Sequence, residues 1–313
     1  HADDVTVFRS AFRLAYVPPY DWASMRAWLA ARALPGVEVV TADGYSRTGR
    51  IGEAFVLVDV THVASESAFD VAVTGDRPLD VDDIRARLVR VLDLDRDPVA
   101  MTACTADDPW LASLCAKHAG LRIPGGWDPF ELGCRAVLGQ QVSVTAARQL
   151  VTTLADICGT SLPDEIASGD ERRCFPLPAA VVDADLTRLR MPGARKATVQ
   201  ALAAAALAPD FFDASLDLPA AIARLRGVKG IGDWTAHYIA LRALRHPDAF
   251  PASDAGLLRG AAMAGQRPSP AMLLARAEAW RPHRAFAAQL LWAVDAALMP
   301  LVEPSPTRRS VLT

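Results

Sequence analysis

Cysteine is scarce in this sequence, and its spacing is wrong for a metal cluster. Cys104, Cys115, Cys134, Cys158 and Cys174 are the five in 313 residues, no two form a CxxC pair, and the last 139 residues hold none. Structural zinc and iron–sulfur clusters need closely set thiolates, so neither is expected; free thiols in a reducing, cytoplasmic compartment are. No apolar run approaches the ~20 residues of a membrane-spanning helix, and no secretory signal opens the chain, so no membrane partner is expected. The longest apolar stretch, residues 201–208, is short and rich in alanine. His1 stands where an initiator Met would, the mark of a fragment or a tag remnant. A charge excess of one sign is missing too. Lys and Arg number 33 against 36 Asp and Glu, a formal charge of −3, which taken alone argues against a polyanionic partner. What is present, 51% hydrophobic and 22% charged residues, excludes disorder and suits two or three folded domains at this length.

The charge is unevenly placed. Residues 1–110 carry 11 basic and 18 acidic side chains, residues 111–220 carry 10 and 12, and residues 221–313 carry 12 and 6. The net charge therefore runs from −7 through −2 to +6. A basic C-terminal third can attract phosphate locally, and an uneven scatter of solvated charges accounts for it equally well.

Hydrophobic periodicity changes along the chain. Phe12, Leu14 and Tyr16 alternate with their neighbours as in a half-buried strand that Pro18–Pro19 ends, and Asp21 reads as the N-cap of a helix through Met25, Trp28 and Leu29. Residues 37–41, 45–51, 54–60 and 68–73 read as antiparallel strands, and residues 80–94 return to helical spacing. This predicts an α+β fold class: an N-terminal antiparallel sheet with two helices over residues 10–104. All-helical segments are then expected at 108–119, 129–139, 143–158, 179–184, 185–189, 193–208, 218–225, 232–243, 254–260, 269–279 and 283–297, with 161–178 a surface loop. The residues from 303 on, with two prolines and several hydroxyl side chains, are expected to form a poorly ordered tail.

Three features carry chemistry. The first is Leu225-Arg-Gly-Val-Lys-Gly-Ile-Gly-Asp-Trp-Thr-Ala236, between two helical patterns. Gly227, Gly230 and Gly232 permit a tight hairpin, and the helix that opens near Gly232 aims free N–H groups at whatever lies above the turn, an arrangement suited to phosphate. Lys229 and Arg226 add charge and Thr235 a hydroxyl. For three glycines alone a plain interhelical turn is the commoner explanation. No strand precedes them, so this is not a dinucleotide fingerprint, and no Gly-Lys-Ser/Thr follows, so it is not a phosphate loop of the Walker type. A helix–hairpin–helix on DNA backbone fits both flanks. The second feature is Asp254 in Pro251-Ala-Ser-Asp-Ala-Gly256, by default a helix cap but also suited to face a developing cation. The third is a set of aromatics. Trp280 reads as core, whereas Trp234 and Tyr238 lie four apart on one helix face beside the hairpin, where rings could stack on an extruded base.

Several separated motifs, in order, carry a resemblance over residues 10–300. Pro18-Pro-Tyr-Asp-Trp22, Phe130-Glu-Leu-Gly-Cys-Arg-Ala-Val-Leu-Gly-Gln-Gln-Val-Ser143, Gly230-Ile-Gly-Asp-Trp-Thr-Ala236 and Trp280-Arg-Pro-His-Arg-Ala-Phe286 with Trp292 beyond resemble the AlkA-type DNA-3-methyladenine glycosylase II family of helix–hairpin–helix glycosylases. The resemblance implies two helical domains behind the sheet domain, one at 129–246 with the hairpin and one from 105–128 and 247–302, with a DNA-binding cleft between them. It places the family's essential aspartate at Asp254 and pocket aromatics at Trp28, Trp234, Tyr238 and Trp292. Ala255 replaces an aromatic, which implies a roomier pocket. Gln141 falls where other members carry a leucine wedge, so a polar contact to the orphan base is implied. Lys229, Gly230, Gly232 and Thr235 would contact the DNA backbone.

The resemblance further implies hydrolysis of the N-glycosidic bond of alkylated purines in duplex DNA during base excision repair, by base flipping and carboxylate stabilisation of an oxocarbenium-like transition state. Members with lyase activity use a lysine where this chain has Trp234, so a monofunctional enzyme is implied. No cofactor is required and no iron–sulfur cluster is implied. A structural Na+ or K+ on the backbone carbonyls of Arg226, Val228 and Ile231 is. A monomer associated with the bacterial nucleoid completes the expectation. Competing readings are a protein that binds damaged DNA without cleaving it, and part of an adaptive-response fusion regulator. No Pro-Cys-His methyl-acceptor motif occurs in these residues.

Overall fold

Short alternating segments in the first 75 residues pair into one antiparallel sheet. The computed structural model describes residues 6–167 and 169–298. Strands β1 (Phe8–Ala15), β2 (Glu38–Val40), β3 (Gly44–Ile51), β4 (Ala54–Val63) and β5 (Ala68–Gly75) lie in the order β1-β5-β4-β3-β2. Register follows the pleat: Val58 faces Val73 and Val60 faces Val71, and all four side chains are buried on one face. Helices α1 (Trp22–Arg32) and α2 (Val81–Leu92) cover that face. Each starts at an aspartate, Asp21 and Asp80, whose carboxylate accepts from a backbone N–H three residues on.

The remainder is mostly helical: α3 (Pro98–Thr105), α4 (Pro109–Lys117), α5 (Pro129–Leu138), α6 (Val144–Cys158), α7 (Asp164–Ala167), α8 (Pro178–Val182), α9 (Gly193–Ala206), α10 (Leu218–Arg226), α11 (Asp233–Arg242), α12 (Ala255–Gly260), α13 (Pro270–Ala277) and α14 (Arg284–Leu298). One apolar core runs through them, from Leu111 and Leu121 through Leu154, Leu202 and Ile239 to Phe250 and Leu291. Among the described residues no helix is long and apolar enough to cross a membrane. The tail expected from residue 303 lies outside the described residues.

Two local expectations are corrected, and one helix is added. Residues 98–105 form a helix that no apolar stripe announces, since Val99 points to solvent. Residues 161–178 are not a plain surface loop. They carry α7 and a ribbon of β6 (Thr160–Ser161) with β7 (Arg173–Cys174), and Leu162, Ile166, Ala167 and Cys174 are buried against Phe55 and Leu57 of β4. Residues 185–189 form turns rather than a helix; only Leu186 and Leu189 anchor them to the core.

Buried charges join the sheet to the helices. Arg47 of β3 holds Glu131 of α5 through two bonds of 2.8 and 3.1 Å, while Arg135 of α5 reaches back to Glu38 of β2 at 2.5 Å. Glu38 also accepts from the Tyr45 hydroxyl and from Leu34 N. Every charge in this layer thus has an opposite partner, the condition under which ionic groups are tolerated away from water. A second tie forms at buried Asp93, which accepts from Arg245 Nη2 at 2.6 Å and Ile123 N at 2.8 Å.

Candidate active site

The turn between α10 and α11 has the backbone that its glycines permit. Gly230 has φ +92°, and a Cβ there would fall 1.9 Å from Thr198 Oγ1 of α9, so both conformation and space require glycine. Gly232 caps α11 without a side-chain bond, and a Cβ on it would meet nothing within 4 Å. Gly232 and Asp233, where α11 opens, are both exposed. Arg226, Lys229, Gly230 and Gly232 are exposed, whereas Val228 and Ile231 anchor the turn in the core. Of the three carbonyls expected to hold a monovalent cation, that of Val228 accepts from Ile231 N at 3.1 Å. All three are neutral, hard oxygens, a donor set that suits Na+ or K+.

Thr235 is placed differently from the expectation of a backbone contact. Its side chain is buried and its hydroxyl accepts from Gln140 Nε2, which ties α11 to the α5–α6 turn instead of facing solvent. Beside Gln140, Gln141 is exposed at the tip of that turn in the left-handed region, φ 56°. Its side chain accepts from Arg195 Nη2 at 3.4 Å, with exposed Val142 and Val144 alongside.

Asp254 is the N-cap of α12, and its carboxylate accepts three hydrogen bonds. Oδ2 takes Leu257 N at 3.1 Å and the Trp292 indole at 2.8 Å, and Oδ1 takes the Trp234 indole at 2.9 Å. The indoles come from the first turn of α11 and the middle of α14, so one carboxylate fastens three helices. Close packing makes this reach possible. A Cβ on Gly260 would fall 2.1 Å from Leu291 O, and Arg259 of α12 pairs with Asp295 of α14 through bonds of 2.7 and 2.9 Å. The rings continue the cluster: Trp234 and Tyr238 stack with centroids 5.3 Å apart, and Tyr238 meets Trp292 edge-on at 6.2 Å. All three are half-buried, as is Asp254, and Ala255 beside it is exposed. Trp280 and Phe286 are core, with the Trp280 indole donating to Asp108 at 2.8 Å.

Trp28 joins from α1 through two arginines that sequence reasoning left out. The guanidinium carbon of Arg242 lies 3.8 Å from the Trp28 ring centroid, and that of Arg32 lies 3.2 Å from it. Arg242 also lies 4.7 Å from the Trp292 ring and 5.0 Å from that of Tyr238. Burial lowers the pKa of both guanidinium groups, that of Arg32 to about 10. A signal for Arg242 was available: residues 234, 238 and 242 repeat every four along α11, which puts them on one stripe.

This arrangement, a sheet domain followed by helices with a glycine hairpin beside a helix-capping aspartate, is the fold of the DNA glycosylases. A 3-methyladenine DNA glycosylase from Archaeoglobus fulgidus superposes with a TM-score of 0.80 at 21% identity, covering 93% of this chain and 100% of that one. Residues 11–128 match the AlkA N-terminal domain family. The chain is 34% identical over 286 residues to the Escherichia coli protein named DNA-3-methyladenine glycosylase 2, covering 90% of this chain and 96% of that protein. The chain belongs to the AlkA family. It is also 35% identical over 283 residues, 90% of its length, to a Mycobacterium tuberculosis protein named "Probable bifunctional transcriptional activator/DNA repair enzyme AlkA". It spans 56%, about half, of that longer relative.

Proposed function

We propose that this chain is a monofunctional DNA glycosylase that hydrolyses the N-glycosidic bond of alkylated purines, of the 3-methyladenine and 7-methylguanine type, in duplex DNA as the first step of base excision repair. The names of its relatives support the class of reaction. The observation that carries the residue assignment is the carboxylate of Asp254, held between two indole N–H donors and a helix N-terminus next to stacked aromatic rings. Three donors hold that carboxylate in one orientation, as is needed opposite a developing positive charge.

In the proposed reaction the first N–H groups of α11, with Lys229 and Arg226, hold the DNA backbone, and the damaged base turns out of the stack towards Trp28, Trp234, Tyr238 and Trp292. Gln141, displayed on its strained turn, occupies the gap. The C1′–N bond breaks with its electron pair going to the base, Asp254 stabilises the oxocarbenium-like sugar, and water adds to C1′. A monovalent cation on the Arg226, Val228 and Ile231 carbonyls would stiffen the turn. Trp234 stands where a Schiff-base lysine would be needed, which supports hydrolysis without strand cleavage. The protein is read as a monomer acting on nucleoid DNA.

The test is single-turnover base release from duplexes bearing 3-methyladenine, 7-methylguanine, hypoxanthine or ethenoadenine, by wild type and Asp254→Asn. A loss of roughly 10²–10³-fold in Asp254→Asn is expected, the scale on which removing one preorganised electrostatic group acts. Unchanged release would remove Asp254 from the chemistry. Binding without release by wild type would favour a damage-binding role instead.

A further inference from the structure

Arg242 is a buried cation with no carboxylate of its own. It is among the largest fully buried side chains, and among the described residues no acidic group lies within ion-pair distance of it. Its partners are neutral: Nη1 donates to Pro124 O at 2.9 Å, both Nη atoms reach Gln289 Oε1 at 3.4 Å, and Nε has no partner. Of the other buried arginines, Arg47 faces Glu131 and Arg284 faces Asp248, while Arg122, far from the aromatic cluster in sequence, is held by the backbone carbonyls of Asp93, Val17 and Pro19. A guanidinium stays charged even when burial weakens it, so this cation is permanent at neutral pH. It sits against Trp28, Tyr238 and Trp292, with Arg32 also over Trp28. Asp254 acts on Arg242 only through space, its carboxylate accepting from the indole of the same Trp292 whose ring Arg242 approaches.

We infer that Arg242 tunes lesion preference, widening it from cationic alkylated purines, whose own charge already makes them good leaving groups, towards bases that are neutral when bound and depart as anions. This rests on the glycosylase reading above. When the C1′–N bond breaks, the electron pair goes to the base. A neutral base such as hypoxanthine leaves as an anion that solvent then protonates, while a cationic base such as 7-methylguanine leaves neutral. In both cases water adds to C1′ and gives up one proton. A fixed positive charge behind the aromatic rings lowers the energy of the departing anion and leaves binding of the neutral base untouched. The same charge repels a cationic base on entry. The aromatic faces that would attract a cation are meanwhile engaged by the protein's own guanidinium groups. The site therefore carries charge of both signs along the bond that breaks, Asp254 on the sugar side and Arg242 on the base side.

A base stacked on the far side of Trp292 would centre roughly 8 Å from the guanidinium, where a partial charge in a medium of effective dielectric near ~20 is affected on the order of tenfold in rate. The experiment measures kst/K½ for hypoxanthine and 7-methylguanine duplexes under single-turnover conditions with wild type, Arg242→Gln, Arg242→Lys and Gln289→Glu. Gln289→Glu places a carboxylate where Oε1 now lies, 3.4 Å from both Nη atoms, and cancels the charge without removing the arginine. The hypoxanthine to 7-methylguanine ratio should fall about tenfold in Arg242→Gln and Gln289→Glu and hold in Arg242→Lys. If Arg242→Gln does not fold, Gln289→Glu decides. Equal losses on both lesions would reduce Arg242 to a packing role and overturn the inference, as would an unchanged ratio. Absence of base release by wild type would instead mark failure of the glycosylase reading, and the inference would fall with it.

Discussion

Asp254→Asn should destabilise this protein, although neutralising a functional carboxylate often does the reverse. Asparagine caps helices as well as aspartate does, so the cap itself survives. An amide has one acceptor, however, and Asp254 serves donors on both oxygens. With the amide oxygen at the Oδ2 position, the bonds from Trp292 and Leu257 persist but lose their charge assistance, and the amide NH2 then faces the Trp234 indole N–H, donor against donor. One charge-assisted bond is worth about 1.5–3 kcal/mol when its partner is left unsatisfied. Relief of desolvation returns little, because the carboxylate is only half-buried. The net expectation is a loss of about 2 kcal/mol, or roughly 3 °C in Tm for a protein of this size. Trp234→Phe removes the opposing donor while keeping a ring to stack on Tyr238, so the double variant should lose less than the sum of the singles by at least ~1 kcal/mol. Urea and thermal unfolding of the four proteins measure this cycle. Asp254→Asn as stable as wild type, or additivity within ~0.5 kcal/mol, would refute the triple-acceptor geometry.

The two hairpin glycines should behave oppositely. Gly230→Ala combines a left-handed backbone with a clash against Thr198 and should cost about 2–4 kcal/mol in urea titrations, whereas Gly232→Ala, with open space at its Cβ, should stay within ~0.5 kcal/mol and weaken duplex-DNA binding instead. Gly260→Ala should push α12 away from Leu291 O and lengthen the Trp292–Asp254 bond, lowering single-turnover base release while leaving hairpin-mediated DNA binding intact. Burial raises the Glu38 carboxyl, but Arg135, Arg47 and the Tyr45 hydroxyl together bring it below the ordinary range. Its contribution to stability is then full above the unfolded value near ~4.3 and is lost as pH falls through the depressed folded value, so the urea midpoint should drop below about pH 4 and that acid limb should flatten in Glu38→Gln.

Much of the fold was legible because its cues are local. Asp21, Asp80, Ser143, Asp254 and Ser269 stand where helix starts were read, and each caps its helix. The order β1-β5-β4-β3-β2 was not legible, since β1 pairs with a strand more than fifty residues away and nothing local encodes that partner. Helix α3 has a capping Asp97 and a Pro98 at its first position but no apolar stripe, so the cue that dominates sequence reading was silent. Residues 161–178 look like loop by composition, and only their burial against Phe55 and Leu57 makes them structure. In the site, the hairpin could be argued from glycine and helix pattern, and Asp254 with its tryptophans came from family resemblance. Nothing in the sequence, by contrast, says that indoles 58 residues apart donate to the same carboxylate.

Arginine shows most clearly where one-dimensional reasoning stops. The +6 charge of residues 221–313 suggested a phosphate-attracting surface, and Arg226 and Lys229 on the exposed hairpin suit that role. Other charges counted in the same total do different work. Arg245 and Arg284 are spent on Asp93 and Asp248, Arg259 on holding α12 to α14, and Arg242 is withdrawn behind the aromatic cluster. Net charge therefore overstates what this surface offers a polyanion and omits what the interior offers a base. A buried guanidinium lacking a counter-ion carries a desolvation cost that packing alone would remove by replacing it with an apolar residue. Its position on the same stripe of α11 as Trp234 and Tyr238 connects that cost to the chemistry at Asp254 rather than to the stability of the fold.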